Sequence, residues 1–360
     1  MDVIDRLQKR AIGKGDLGTE EGLALFEEGM GRPFRLMAAA SEIRRHIKGD
    51  TIGLCGIVNA KSGRCPENCA FCAQSSHYPT EAESYPLKKA PEIITAAEQA
   101  RRAGAEMFGV VTSGKRIQSA REWAEIRKAV GGIRDLGLMP CASLGLLDAV
   151  QANALREAGL FRYHHNLETS RSFFPQICTT HDYEEDVETI REAKRAGLSV
   201  CAGGLIGLGE GITHRIELAL TLRELDVDSV PINILHPIKG TPLGGSRPLP
   251  PLEILVSIAV FRFLLPERDL RLCGGKERNL RQLLPMALVA GCNALMTGNY
   301  LTTSGRESSL DHEMIADLGL LPVREQDLCR CGMATAGGMP GCCETDVPRR
   351  SPQRKKERIA

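Results

Sequence analysis

The segment KSGRCPENCAFCAQSS sets three cysteines, Cys65, Cys69 and Cys72, at the spacing C-x3-C-x2-C. Thiols this close share one task. A tetrahedral zinc site takes four donors, and the motif itself has no fourth, so a zinc knuckle would have to borrow His77 or a remote cysteine. Three thiolates suit a 4Fe–4S cube in which one iron has no protein ligand. An open corner is what a cluster that reacts with a bound molecule requires, whereas one that only stores an electron is fully ligated.

The remaining cysteines are scattered. The chain has 13 of them in 360 residues, and in a reducing compartment grouped cysteines point to metal rather than to disulfides. Such a compartment is expected. The N-terminal MDVIDRLQKRAIGKGD lacks the apolar core of a signal peptide, and no apolar run approaches the roughly 20 residues of a membrane span. A cytoplasmic location and no membrane partner follow as expectations. A net charge of +1 supplies no field to attract nucleic acid, and the 4% aromatic content offers few stacking platforms. Only the terminal RRSPQRKKERIA is strongly basic, which reads as a solvated tail.

The elements that must position the thiols follow from hydrophobic rhythm. Residues 1–49 read as an N-terminal helical segment, with Leu23, Leu25 and Phe26 on one side of one stretch and Leu36, Met37, Ala40 and Ile43 at helical spacing in the next. From residue 50 to 321, short apolar runs such as TIGLCGIVNA, MPCASLG and SVPINILH alternate with helical segments that mostly end in Gly. Eight such βα units over about 250 residues, with runs continuous enough to be buried on both faces, predict an α/β fold: a (β/α)8 TIM-type barrel. An open doubly wound sheet is the alternative. Residues 322–360 form a Cys- and Gly-rich, then basic, C-terminal appendage with no period.

With Phe71 just before the last cysteine and a strand just ahead of the motif, the chain resembles the radical S-adenosylmethionine superfamily. CPENCAFCAQSS, YHHNLETS, VCAGGLIGLGE and SVPINILHPIKGTPL together look like the biotin synthase family over residues 50 to 320. The resemblance implies that the open iron chelates the methionine moiety of S-adenosylmethionine and that a 5′-deoxyadenosyl radical results. Dethiobiotin would lose two hydrogens in turn and receive sulfur from an auxiliary Fe–S cluster. It also implies site residues. Cofactor contacts fall on Phe71, Thr112, Ser113, Asn166 and Glu168, with Glu168 on the ribose hydroxyls, and substrate contacts on Asn166 and Asn233, whose amides offer both donor and acceptor to a ureido ring. An electron donor such as flavodoxin or ferredoxin, an Fe–S assembly or sulfide source, and a homodimer are further implications.

The auxiliary site is where this sequence departs from the family. Relatives use cysteines at strands two, three and five, and an arginine near strand seven. Cys141 and Cys201 match strands three and five, but Gly109 stands at the strand-two position, Lys276 is read at the arginine position, and Cys273 is new. The expected ligand set is therefore Cys141, Cys201 and Cys273. Three thiolates again suit a 4Fe cluster with one free iron that could carry an exogenous sulfide, in place of the family's 2Fe–2S centre. Cys55, Cys178 and Cys292 read as small apolar filler. Cys329, Cys331, Cys342 and Cys343 in the tail read either as ligands of zinc or of a further centre, or as free thiols. Relatives carry a basic residue for the adenosylmethionine carboxylate where Asp186 stands, which leaves His181 or Arg191 for that role. Alternative readings are a hydrogenase-maturation or methylornithine-forming relative and, from another class, an Fe–S carrier or scaffold.

Overall fold

A computed structural model of the chain describes residues 2–323. The tail cysteines Cys329, Cys331, Cys342 and Cys343 lie outside the described residues. Three helices open the chain: α1 (Val3–Ile12), α2 (Thr19–Gly31) and α3 (Pro33–Lys48). Leu25, Leu36, Met37, Ala40 and Ile43 are fully buried, while Leu23 and Phe26 are partly buried against the same core.

The strands are β1 (Thr51–Lys61), β2 (Met107–Thr112), β3 (Met139–Ser143), β4 (Arg162–His164), β5 (Ser199–Cys201), β6 (Gly204–Ile206), β7 (Ser229–Ile234), β8 (Asp269–Leu272), β9 (Ala294–Met296) and β10 (Leu321–Pro322). All pair in parallel. The order β1-β2-β3-β4-β5-β7-β8-β9 closes on itself through a β1–β9 pairing. β5 and β6 both pair with β7 and act as one strand interrupted at residues 202–203, so the closed barrel has eight staves, and β10 adds to β1 outside the circuit. This is the (β/α)8 barrel predicted by the eight apolar runs.

Helices α4 (Ala90–Arg102), α5 (Ala120–Asp135), α6 (Ala149–Glu157), α7 (Tyr183–Arg195), α8 (Ile212–Glu224) and α9 (Pro251–Leu264) follow successive staves. Most begin with a side chain or carbonyl arrangement that satisfies the first free amides; Asp148, for example, accepts from Gln151 N at 2.9 Å. α9 is buried on every side because α2, α3 and α8 pack around it, which explains its unbroken apolar sequence. The seventh crossover is broken. ERNLRQLLPMALVAG forms not one helix but three short pieces, Lys276–Leu280, Arg281–Leu283 and Met286–Val289. Arg281 takes a left-handed φ of 52°, and Pro285 has no amide to continue the ladder.

Candidate active site

The cysteine loop follows β1 directly, at the carboxyl end of the barrel where βα loops meet. It is held by its own backbone: Cys65 N donates to Gln74 O at 3.0 Å, Ser76 N to Cys65 O at 2.8 Å, and Cys72 N to Cys69 O at 2.9 Å. The loop is also clamped to the segment before α7, through Ala70 N to Ile177 O at 2.9 Å and Asn68 Nδ2 to Thr179 Oγ1 at 2.7 Å. His77, the donor a zinc knuckle would need, is exposed and binds Pro66 O at 2.9 Å.

Cys65, Cys69 and Cys72 open into a cavity of about 210 Å³ that also exposes Thr112, Ser113, Asn166, Glu168, Cys178 and His181. A larger cavity of about 320 Å³ runs down into the barrel and is lined by Phe71, Asn166, Asn233, Cys55, Cys141, Cys201, Cys273, His164, Arg162 and Arg271. Cys72, His164, Asn166 and Glu168 line both, so the two are joined. All the site residues expected from the sequence therefore face one connected space.

Their partners differ in what they leave free. The buried atoms Asn166 Oδ1 and Thr112 Oγ1 have no hydrogen-bond partner, so the site is shaped for a polar ligand that would satisfy them. Ser113 is not free: its hydroxyl donates to Gly63 O at 2.8 Å and braces the cysteine loop. Glu168 adopts a left-handed φ of 60°, and the backbone of β6 runs so near that a Cβ on Gly204 would lie 2.4 Å from Glu168 O. Burial pushes the Glu168 carboxyl up to about 7, against the nearby His164. Asn233 donates to Gly204 O at 3.3 Å and accepts from Gly274 N at 3.0 Å. One amide hydrogen and one lone pair remain for a ligand.

The inner cavity has a basic lining. Arg162 and Arg271 are both buried. Burial opposes the Arg271 charge, but Cys55, Cys201 and Cys273 around it hold that charge in place. Burial would also raise the Cys201 thiol, yet its hydrogen bond with His164 brings it down to about 7. Such a setting favours the thiolate, the form that binds metal.

Several sequence expectations need correction. The basic residue on the inner face of β8 is Arg271, not Lys276, whose ammonium is buried outside the cavity against Met296 O and 3.8 Å from Asp311. Cys55 is not mere filler, because it lies on the cavity wall against Met107 and Cys141. Cys178 is not filler either. Its Sγ is 3.8 Å from Cys69 Sγ and 3.3 Å from His181 Nδ1. Cys292 does sit in the apolar core. Arg191 faces solvent and pairs with Glu188, whereas His181 lines the cavity.

A charged relay backs the cysteine loop. His181 meets Glu67 at 2.6 Å through Nδ1 and Asp186 at 3.2 Å through Nε2, and Asp186 reaches His165 at 2.8 Å. Burial disfavours the imidazolium, but Asp186 and Cys178 push the His181 pKa up to about 11. Glu67, Cys178 and His181 place donor atoms within 4.8 Å of one another, the one such group among the described residues. Neither the loop thiols nor the barrel thiols form such a single-ion group among the described residues.

Beneath the barrel thiols, Glu106 has an enclosed Oε2 with no partner. Burial raises its pKa to about 7, only partly offset by Arg271 and Arg162. Between the ordinary carboxylate range and that value the folded chain holds a proton that the unfolded chain has lost. Stability should therefore fall as pH rises from 4.5 to 7, by up to about 1.4 kcal/mol per unit from this group. Urea unfolding of Glu106→Gln across this range should show a shallower fall than the parent chain.

Comparison with known proteins agrees with this architecture. The radical SAM superfamily model matches residues 60–222, and the biotin and thiamin synthesis associated domain matches residues 231–321. The chain is 52% identical over 318 residues to biotin synthase of Geobacter metallireducens, spanning 88% of this chain and 97% of that one. It is 57% identical over 286 residues to that of Geobacter sulfurreducens, spanning 79% and 87%. Among solved structures, methylornithine synthase superposes with a TM-score of 0.77 at 24% identity, covering 89% of this chain and 98% of its own. The hydrogenase maturase HydG from Carboxydothermus hydrogenoformans gives 0.75 at 15%, covering 91% and 82%. At those identities the two structures speak for the fold alone. A barrel whose cysteine loop and inner thiols share one cavity, matched to these relatives over nearly its whole described length, belongs to the biotin synthase family of radical SAM sulfurtransferases.

Proposed function

We propose that the chain converts dethiobiotin to biotin in the two joined cavities, with S-adenosylmethionine in the outer one and substrate below it. The supporting observation is the shared wall: Cys72, His164, Asn166 and Glu168 border both spaces. A molecule at this junction has the loop thiols above it and the barrel thiols below. When bound, the 4Fe–4S cluster and adenosylmethionine supply a 5′-deoxyadenosyl radical, and the auxiliary Fe–S cluster supplies the sulfur.

The residues of the chain hold and shield these groups. Cys65, Cys69 and Cys72 offer thiolates to the first cluster. Glu168, as carboxylate, accepts from ribose hydroxyls, and the free Thr112 hydroxyl and Asn166 Oδ1 meet polar atoms of adenosylmethionine. Ser113 acts through the loop it braces. Phe71, packed with Phe173, Ile177 and Leu235, lines the apolar side of the larger cavity beside Cys72. The His181 imidazolium, held between Glu67 and Asp186, answers the methionine carboxylate in place of the family's basic residue. Asn166 and Asn233 receive the ureido ring. Cys141, Cys201 and, nearer the mouth, Cys273 face the auxiliary cluster, which we read as a 4Fe type whose one free iron would carry an exogenous sulfide. A flavodoxin or ferredoxin as reductant, a sulfide source and a homodimer complete the reading.

Anaerobic incubation with adenosylmethionine, reductant, sulfide and dethiobiotin should yield biotin; 5′-deoxyadenosine release that dethiobiotin neither stimulates nor converts to biotin would sink the proposal. Asn233→Ala should raise the KM for dethiobiotin about ten- to a hundredfold, the loss of one or two buried hydrogen bonds. Slow release of 5′-deoxyadenosine without substrate should be unaltered in the same variant, which separates substrate binding from damage to the radical site.

A further inference from the structure

The level of each inward side chain can be traced through the strand registers. Cys55 on β1 is paired with Met107 on β2, and Met107 with Met139 on β3, two residues before Cys141. Cys141 is paired with Arg162 on β4, and Arg162 with Ser199 on β5, two residues before Cys201. Cys201 is paired with Ser229 on β7, and Ser229 with Asp269 on β8, two residues before Arg271. Arg271 is paired with Ala294 on β9, and Ala294 with Gly53 on β1, two residues before Cys55. The circuit closes in four steps that advance eight residues in all, the shear of a (β/α)8 barrel, in which alternate strands supply the four side chains of one layer.

Cys55, Cys141, Cys201 and Arg271 therefore form a single layer. The same steps put Cys273 two layers nearer the mouth, level with Ile57, Ser143 and residue 203, above the alternate-strand layer of Gly109, His164, Pro231 and Met296. Independent contacts agree: Cys55 packs on Cys141 and Met107, and all four members of the layer line the inner cavity. Gly109, at the strand-two position, sits beside this layer. A Cβ there would lie 3.9 Å from Cys141 Cβ and 3.1 Å from Ile57 Cγ2, so β2 reaches this layer but brings no donor to it.

We infer that Cys55 is a ligand of the auxiliary cluster, supplying from β1 the thiolate that β2 lacks and joining Cys141, Cys201 and Arg271 in one ring. Three anionic thiolates and one guanidinium at a common depth make a donor set that is partly neutralised from within, which a buried site needs. Cys273 looks onto the ring from the substrate side. Cys55 has this role only if the cavity holds a cluster at all, as proposed above.

The test uses the full chain with Cys65→Ala, Cys69→Ala and Cys72→Ala, reconstituted anaerobically with iron and sulfide, so that only the inner site can load. Iron and sulfide retained against a chelator, together with Mössbauer spectra, are compared after adding Cys55→Ser, Cys141→Ala or Cys292→Ala. Cys292, buried in the apolar core, is the control that should change nothing. Cys55→Ser should retain at least about tenfold less iron than the parent, since even outer residues of a metal site cost that much, and Cys141→Ala should match it. Adding Gly109→Cys to Cys55→Ser should restore iron. A Cys55→Ser chain with the parent's iron, sulfide and spectrum overturns the inference. If Cys55→Ser does not fold, Cys55→Ala carries the same comparison. A parent that binds no iron in the inner cavity is a failure of the auxiliary-cluster reading itself, seen before any change at Cys55.

Discussion

Cys72→Ala is expected to bring 5′-deoxyadenosine formation down to that of a protein-free control while the iron and sulfide of the inner cavity stay in place. Three thiolates are the fewest that hold a cube with one open iron, so losing Cys72 leaves the motif one ligand short. Alanine keeps the backbone bonds of Cys72 N to Cys69 O and Ser75 N to Cys72 O, so the loop should hold its shape and the loss should fall on the cluster alone. Cys72 is the clean position because Cys69 has a spare thiol, Cys178, at 3.8 Å. The loss should reach at least about three orders of magnitude, some 4 kcal/mol of barrier. Iron counts and liquid chromatography of the nucleoside product check it; undiminished 5′-deoxyadenosine would remove Cys72 from the cluster.

The second large effect concerns stability. Arg262 on α9 is completely buried, and it donates to Gly291 O at 2.9 Å, Leu265 O at 3.2 Å, Pro266 O and Arg268 O at 2.9 Å, and Asn293 Oδ1 at 2.9 Å. Burial draws its pKa down to about 10, which leaves it cationic. Arg262→Met fills much of the same volume but strands the carbonyls of Gly291, Pro266 and Arg268, while Leu265 O keeps Arg268 N at 3.3 Å and Asn293 Oδ1 keeps Leu270 N at 2.9 Å. At roughly 1 kcal/mol or more for each buried acceptor left unmet, the cost is about 3–4 kcal/mol. The unfolding midpoint should drop by about 5–10 °C. Arg262→Lys, with a single ammonium for five acceptors, should recover only part. An unchanged midpoint in Arg262→Met would contradict this account.

What was legible in the sequence follows from the range of the information. The spacing of Cys65, Cys69 and Cys72 is local, and the eight apolar runs are local, so the loop cluster and the barrel could both be read along the chain. Side-chain direction inside a strand has period two, and an error there misplaces a ligand. Lys276 was read as the strand-seven basic residue, yet it lies past the end of β8, and Arg271, within the strand, points inward. Cys55 in GLCGIV looks like any small residue in a buried run; its depth depends on eight registers that close only around the barrel. Cys178 and Cys69 are brought together across more than a hundred residues by the clamp of the cysteine loop on the segment before α7. A motif search can see neither pairing. The broken seventh helix was foreshadowed by Pro285, but the left-handed turn at Arg281 carries no such residue signal.

The floor of the barrel has one more consequence. Below the ring lie Met107, Arg162, Ser229 and Ala294, all buried, so nothing the size of a sulfide carrier enters from that end. Traffic is confined to the mouth, where Asn166 and Asn233 would hold dethiobiotin. On the proposed function, recharging the inner site with sulfide and occupying it with substrate would compete for one doorway. A chain built this way works as a gun loaded through its muzzle: each round must leave before the next charge goes in, and excess dethiobiotin should slow the second turnover without slowing the first.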